Sequence, residues 1–411
     1  MSYDVRANLV IIACISIYSL AAILFPFDSD AGVFYGFVVL FILITTYALS
    51  VIFGLSFFSR FGELGYVNLR RYPSSYVYWV PIFLGFLGLV FIVVDRVMFR
   101  GINPFLVSPA EARNIMSQGD GGVSSVFSLA GNIFQCFCIV PAYYMISRSE
   151  YRFWVFVFSF SIATLSSYLL GGRTPILCFV VISFATWIYF SRYSMSLKSS
   201  FYSLVGILSL GFFGVYVFVL RAELSGLDSY SYATKLIVHL GFSKDFSAFS
   251  EPSGIGDYWN FLLLVIGYLV HPFFVSSDAV LNGSGAGNAS FYAVLFLLSK
   301  FLPIDLSGFK HDYYELFLSL PGGLYYDFGV LGLLLGGFFL AAIYLFGAIV
   351  ASFLKGRADF PFILILFVIS TLLLSPLLSS INFVFFNFYI FILFSYFFLI
   401  FTLKIGFGNS K

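Results

Sequence analysis

The sequence predicts an all-α protein that crosses a membrane about twelve times and carries long loops on one face. Three observations predict it. Hydrophobic residues fill 61% of the 411 positions and charged residues only 10%. An ordinary soluble domain has ~25% charged residues, so lipid must be the solvent for most of this surface. Apolar runs of the ~20 residues that a spanning helix needs recur along the chain between polar knots. Lys and Arg also concentrate in alternate connections. A net charge of +2 with no basic or acidic tail offers no face to nucleic acid.

The expected spans, within a single membrane domain of residues 1–411, start with Asn8–Phe25, Val33–Phe58, Tyr76–Val94, Ser125–Ile146 and Phe153–Leu170. They continue with Pro175–Phe190, Phe201–Leu220, Phe261–Ser276, Phe291–Leu302, Leu324–Leu354, Phe360–Leu378 and Phe383–Leu403. The eighth is interrupted by His271-Pro272 and the ninth is short, so this pair also reads as re-entrant or interfacial segments.

With the N-terminus in the cytoplasm, the inner side holds twelve bases, among them Arg70, Arg71, Arg148, Arg152, Lys355 and Arg357. Its acids are Asp4, Glu63, Glu150 and Asp359. Nine bases and fifteen acids remain for the outer side, so the positive-inside rule puts both termini in the cytoplasm. Arg6 and the run from Leu9 to the small pair Ser19 and Ala21 also read as a cleaved signal peptide, which would invert the parity. The run continues to Phe25, and the second span supplies its returning helix. Inner connections are short. Three outer segments are long, 95–124, 221–260 and 303–323, and their aromatic content argues for order and function.

Cys14, Cys136, Cys138 and Cys178 all lie in apolar runs and read as free buried thiols, with Cys136 and Cys138 on different faces of a helix. A C-x-C pair can bind metal, but here it lacks a nearby His or acidic partner.

Outer basic residues run against the charge rule and call for a reason. Arg173 sits in Gly171-Gly172-Arg173-Thr174-Pro175, a tight turn. It reads either as an arginine snorkelling to headgroups or as a planar fork for phosphate. Arg221, which ends the seventh span, poses the same choice. Arg96, Arg100 and Arg113 occupy the first long loop and read as surface or ion-pair residues, with Asp95 and Glu111 as partners. In the third outer segment, a helix over Lys310–Leu320 would put His311 and Glu315 on one face at i,i+4. Such a pair either takes a proton from a sugar hydroxyl or is an incidental surface pair. His239 and His271 have no acidic neighbour at helical spacing. Gly329, Gly332 and Gly336 read as one helix-packing face. Asp28-Ser29-Asp30 has the D-x-D form of metal-binding transferases but sits in a short turn, where helix capping is the simpler role.

Taken in order, Gly-Gly-Arg173-Thr, the late outer loop opened by Arg221, and His311 before Tyr-Tyr-Asp327-Phe-Gly329-x-x-Gly332 resemble the Wzy-type O-antigen and oligosaccharide repeat-unit polymerases, which are related to the O-antigen ligases. The motif likeness covers about the second half of the chain, and the topology all of it. The resemblance implies a class C glycosyltransferase fold in the bacterial inner membrane, with a periplasmic active site and no cofactor or metal. It implies undecaprenyl-diphosphate-linked oligosaccharide as substrate, membrane lipid as surroundings, and a chain-length regulator protein as a partner. It also implies diphosphate contacts for Arg173 and Arg221, with Arg113 as a further candidate, and a base role for His311 supported by Glu315. The spaced arginine-to-glycine motif of some polymerases is absent at both Arg173 and Arg221. An O-antigen ligase and a lipid-linked oligosaccharide flippase are the rival readings.

Overall fold

A computed structural model describes residues 72–103, 125–150, 152–170, 174–190, 226–239, 255–282, 318–355, 357–377 and 379–408. It also describes scattered positions within 11–20, 45–54, 69, 106–107, 172, 219–222, 249 and 289–295. These residues are mostly helical, with no strand among them. We number the helices α1 Ser75–Phe99, α2 Val126–Arg148, α3 Phe153–Leu170, α4 Thr174–Phe190, α5 Ser229–His239, α6 Ile255–Asn282, α7 Leu320–Leu354, α8 Phe360–Leu374 and α9 Val384–Gly408. Five of them, α1, α2, α3, α7 and α9, are long and apolar enough to cross a membrane, and α6 adds a sixth if its two halves, bent by 44°, form one span. α4 and α8 are shorter apolar helices of 17 and 15 residues. Large side chains such as Phe83, Phe346, Phe353 and Phe391 point outward, as lipid-facing helices require.

The helices alternate in direction between two ends. At one end, Tyr78 of α1 meets Tyr144 of α2 edge-on at 5.4 Å, while Phe190 of α4 touches Tyr143 and Phe362. Phe397 of α9 packs on Tyr143 at 5.2 Å. We call this the Asp359 end, after the residue that precedes α8. The last turn of α1, the first turns of α2, α4 and α9, and the Ser375–Asn382 break between α8 and α9 lie at the other end, the Asp327 end. Small residues let the helices approach closely. A Cβ on Gly88 of α1 would overlap the Gln135 backbone nitrogen in α2, and one on Gly347 of α7 would sit 2.8 Å from the Pro361 carbonyl in α8.

Several expected spans recur with close bounds, and α3 has the bounds read from the sequence. Three expectations change. The first concerns the ninth span and the loop before it. Ser276 is hydrogen-bonded to Ser319, Ala289 and Ser290 to Asp327, and Ala289 to Asn382. A single crossing at Phe291–Leu302 would leave Ser290 and Leu318 at opposite ends, yet both join the Asp327 end, where Ser379 N–H donates to the Leu318 carbonyl at 2.9 Å. Ser276 and Ala289, which flank the connection, likewise both join the Asp327 end. Of the two readings for this region, the geometry favours the one without two full crossings. The second concerns a helix over Lys310–Leu320. Leu318 and Ser319 are not helical, and Ser319 at φ −62°, ψ 155° is the extended cap of a new helix; residues 310–317 lie outside the described set.

The third concerns α7. Gly329 adopts φ +61°, ψ −152°, a backbone region open only to glycine. The arm 320–328 therefore folds back on the 330–354 helix, with the Leu324 carbonyl packed over Gly332 and its side chain over Gly336. The glycines receive their own chain, and Gly329 is the turn and not part of the face. The thiols agree with the sequence reading: Gln135–Cys138 form a tight 3₁₀ turn in which Cys136 and Cys138 are both fully buried. Cys136, Cys138 and Cys178 are free and buried; Cys14 lies outside the described residues.

Candidate functional site

The five residues to which the sequence assigns chemistry, Arg113, Arg173, Arg221, His311 and Glu315, lie outside the described residues, as do Asp28 and Asp30. Residues near three of them in the chain are described. Gly172 and Thr174 flank Arg173 at the α3–α4 turn, where Gly172 N–H donates to the Ser167 carbonyl at 3.1 Å and Ile176 N–H to Ser167 Oγ at 3.0 Å. This turn is at the Asp327 end, since α4 finishes beside Phe362. Leu318, seven residues after His311, belongs to the same end. Ala222, next to Arg221, is buried.

At that end three chain breaks meet in a polar knot inside an otherwise apolar bundle. Ser319 caps the 320–328 arm by accepting from Gly322 N–H at 3.1 Å. Its own N–H donates to Ser276 Oγ at 3.0 Å, and the two hydroxyls lie 2.9 Å apart. Leu320 N–H donates to the Ser375 carbonyl at 2.9 Å, tying the arm to the end of α8. At the far end of the arm the Asp327 carboxylate accepts from Ala289 N–H at 3.2 Å and Ser290 N–H at 2.6 Å. Asn382 donates its side-chain amide to the Ala289 carbonyl, and Ser380 Oγ donates to Thr371 Oγ1 at 3.2 Å. The N–H groups of Leu320, Gly322 and Gly323 at the start of the arm, and those of Ala289 and Ser290, are thus satisfied by the chain itself. The hydroxyls of Ser290 and Ser379, residues only 2% and 4% exposed, have no hydrogen-bond partner among the described residues. A buried polar group left in this way costs about 1–3 kcal/mol, so the knot holds hydrogen-bonding capacity that its own fold does not use.

Other polar groups lie outside the knot. Asp95 accepts from Arg100 Nε at 2.8 Å and from the Ser125 hydroxyl. The expected Asp95–Arg100 pair is therefore present, while Arg96 is buried rather than superficial. In the 221–260 segment, Ser229 joins Asp257 and Asn260 at the start of α6. Exposed Asp228 caps α5, and the Ser231 N–H and hydroxyl, each at 2.8 Å, hold its carboxyl below the usual carboxylate range. His239 ends α5, and His271 is buried within α6 beside Pro272. No group of three His, Cys, Asp or Glu side chains suited to a metal occurs among the described residues.

The opposite end holds an arrangement that the sequence did not reveal. Arg148 and Asp359, read as exposed topological charges, form a buried ion pair at 2.6 Å. Tyr143 donates its hydroxyl to Asp359 at 3.0 Å, and the Arg148 guanidinium lies 4.2 Å from the centre of the Tyr144 ring. Beside it Tyr78 donates to Glu150 at 3.1 Å, with Arg152 over the Tyr78 ring. The signals available were Tyr143-Tyr144 four residues before Arg148, and an aspartate directly ahead of Phe360-Pro361. Neither specifies a partner more than two hundred residues away. In the knot the available signal was Ser-x-x-Gly at 319–322 and the hydroxyl-rich break 375–382, passed over as a short turn.

No protein-family model, no curated protein and no solved structure matches the chain.

Proposed function

We propose that this chain is a membrane glycosyltransferase that joins oligosaccharide repeat units carried on undecaprenyl diphosphate into O-antigen or a related surface polysaccharide. The observation that carries this reading is the polar knot, a hydroxyl- and carboxylate-lined junction at one end of an apolar bundle. The α3–α4 turn at Gly172 and Thr174, and Leu318, belong to the same end. A lipid-linked sugar needs this combination of apolar helix faces for its tail and polar groups at the bilayer surface for its head.

In the proposed reaction, the non-reducing-end hydroxyl of the incoming unit attacks the anomeric carbon of the growing glycan. The bond from that carbon to the diphosphate oxygen breaks, and undecaprenyl diphosphate leaves with the electron pair. Arg173 and Arg221, with Arg113 as a further contact, stabilise the charge developing on the diphosphate, which needs no metal. His311 takes the acceptor proton, oriented by Glu315. The protein resides in the bacterial inner membrane with both termini cytoplasmic and the Asp327 end periplasmic. This orientation agrees with Arg148, Arg152, Lys355, Arg357 and Lys404 all belonging to the Asp359 half of the chain's connections and ends.

Broken helices favour a second reading, since transporters build binding sites at helix interruptions. α6 bends by 44°, α7 reverses at Gly329, and α8 and α9 part at 375–382. A flippase with this chain would move lipid-linked oligosaccharide without altering it. Deletion followed by inspection of lipopolysaccharide separates the readings. A polymerase leaves one repeat unit per core and no ladder, whereas a ligase or flippase leaves cores without repeats. Purified protein that forms no longer chains from purified lipid-linked units would sink the polymerase reading.

A further inference from the structure

The polar knot has a feature that a purely structural junction does not need. Its two unused hydroxyls, on Ser290 and Ser379, are buried, and Ser290 Oγ lies only 3.8 Å from the position a Cβ would occupy on Gly323, in the first turns of the 320–328 arm. The arm is therefore what closes over Ser290. It is joined to its helix through Gly329, in a conformation that only glycine adopts readily and with open space where a side chain would stand. Its polar ties are the Ser319–Ser276 contacts, the Leu320 N–H to Ser375 carbonyl bond, and the Asp327 bonds to Ala289 and Ser290, and Leu320, Leu324 and Tyr326 bury their side chains in the bundle. Each net hydrogen bond contributes about 1 kcal/mol and each buried leucine about 1.5–3 kcal/mol, so the arm rises only when a bound substrate offsets the loss.

We propose that the 320–328 arm is a cover hinged at Gly329, and that lifting it exposes the Ser290 and Ser379 hydroxyls as a subsite for the sugar part of the lipid-linked substrate. The ligand class rests on the glycosyltransferase reading; the hinge does not. Hydroxyl, amide and carboxylate groups are the set that binds a sugar's many donors and acceptors, and here Asn382 and Asp327 adjoin Ser290 through Ala289. With the arm raised, the Asp327 carboxylate is released from the two N–H groups, and it and they become available to substrate hydroxyls. The site is then assembled only when the substrate supplies partners for groups that the closed arm leaves idle.

Two opposite perturbations test the hinge. A methyl group in Gly332→Ala would overlap the Leu324 carbonyl oxygen and wedge the arm upward; Gly336→Ala, 2.6 Å from the flexible Leu324 Cδ1, is a milder wedge. In full-length protein carrying Ser290→Cys, reaction with a charged methanethiosulfonate reagent should be slow, and about tenfold faster with either wedge. Equal labelling with and without the wedges overturns the cover. In Ser276→Cys/Ser319→Cys, whose native hydroxyls stand 2.9 Å apart, oxidation should form a disulfide that stops chain extension until reductant is added. Retained extension by the cross-linked protein, or failure of the pair to cross-link, overturns it too. The sugar subsite has its own arm: undecaprenyl diphosphate carrying N-acetylglucosamine should slow labelling of Ser290→Cys in the wedged protein, and undecaprenyl diphosphate alone should not. Equal protection by both lipids, or by neither, removes the sugar subsite while leaving polymerisation to be judged by its product assay.

Discussion

Asp359→Asn should cost about 3–5 kcal/mol of stability, because it leaves the Arg148 guanidinium buried without its counter-charge. The structure sets this magnitude. The Arg148 side chain is 3% exposed and that of Asp359 0%, so water cannot compensate, and the guanidinium Nη2 approaches the two carboxylate oxygens at 2.6 and 2.7 Å. With an effective dielectric of about 20, charges ~3.5 Å apart attract by about 5 kcal/mol, which is close to the cost of breaking such a pair. Arg148→Ala should cost a similar amount and also lose the Tyr144 ring contact at 4.2 Å, worth about 1–2 kcal/mol when desolvated. Tyr143→Phe removes only a hydroxyl that donates to Asp359 and should cost about 1 kcal/mol. The discriminating variant is Arg148→Met/Asp359→Leu. Replacing both partners removes the desolvation penalty with the attraction, so the double variant should come within about 2 kcal/mol of the parent. The assay is equilibrium unfolding in mixed dodecylmaltoside and SDS micelles, followed by tryptophan fluorescence. A loss below about 1 kcal/mol for Asp359→Asn, or strictly additive single and double losses, would refute the reasoning.

Four other outcomes are expected. Gly88→Ala should cost at least about 3 kcal/mol, because its methyl meets the Gln135 backbone rather than a movable side chain; the check is monodisperse yield on size exclusion. Cysteines at Ser284 and Gly308 should react with an impermeant reagent from one side and a cysteine at Arg357 from the other, since both flanks of 277–288 and of 291–317 join the Asp327 end; Ser284 reacting with the Arg357 side would restore the two-span reading. Arg173→Lys and Arg221→Lys should each slow chain extension about 100-fold, nearly as much as alanine, because an ammonium cannot form the two-pronged diphosphate contact. Full activity at equal abundance would mark the arginines as headgroup anchors. His311→Ala should abolish extension while lipid-linked substrate still binds, and Glu315→Gln should do less harm. Normal extension by His311→Ala, or loss of wild-type activity with chelator, would move attention to Asp28 and Asp30.

Composition and periodicity alone determined the class of this protein. A chain with 61% hydrophobic residues in runs of spanning length cannot bury itself in water, so helices with satisfied backbones follow from the sequence before any packing is known. The bounds of α3 and the alternating direction of α1 to α4 and α7 to α9 were legible for the same reason, since each depends on a local run and its flanks. The candidate arginines and histidine were legible only as residue types in a pattern. What tertiary structure decided were the features that depend on distant partners. The reversal at Gly329 lies within an apolar stretch that hydropathy reads as one long helix, and only the fit of Leu324 over Gly332 and Gly336 gives it away. Ser290 and Leu318 stand at one end because hydrogen bonds to Asp327 and Ser379 hold them there, which no count of apolar residues encodes. Arg148 and Asp359 were counted as charges facing water. The fold buries them together because, in a low-dielectric bundle, a paired guanidinium among tyrosines is far less costly than either charge alone.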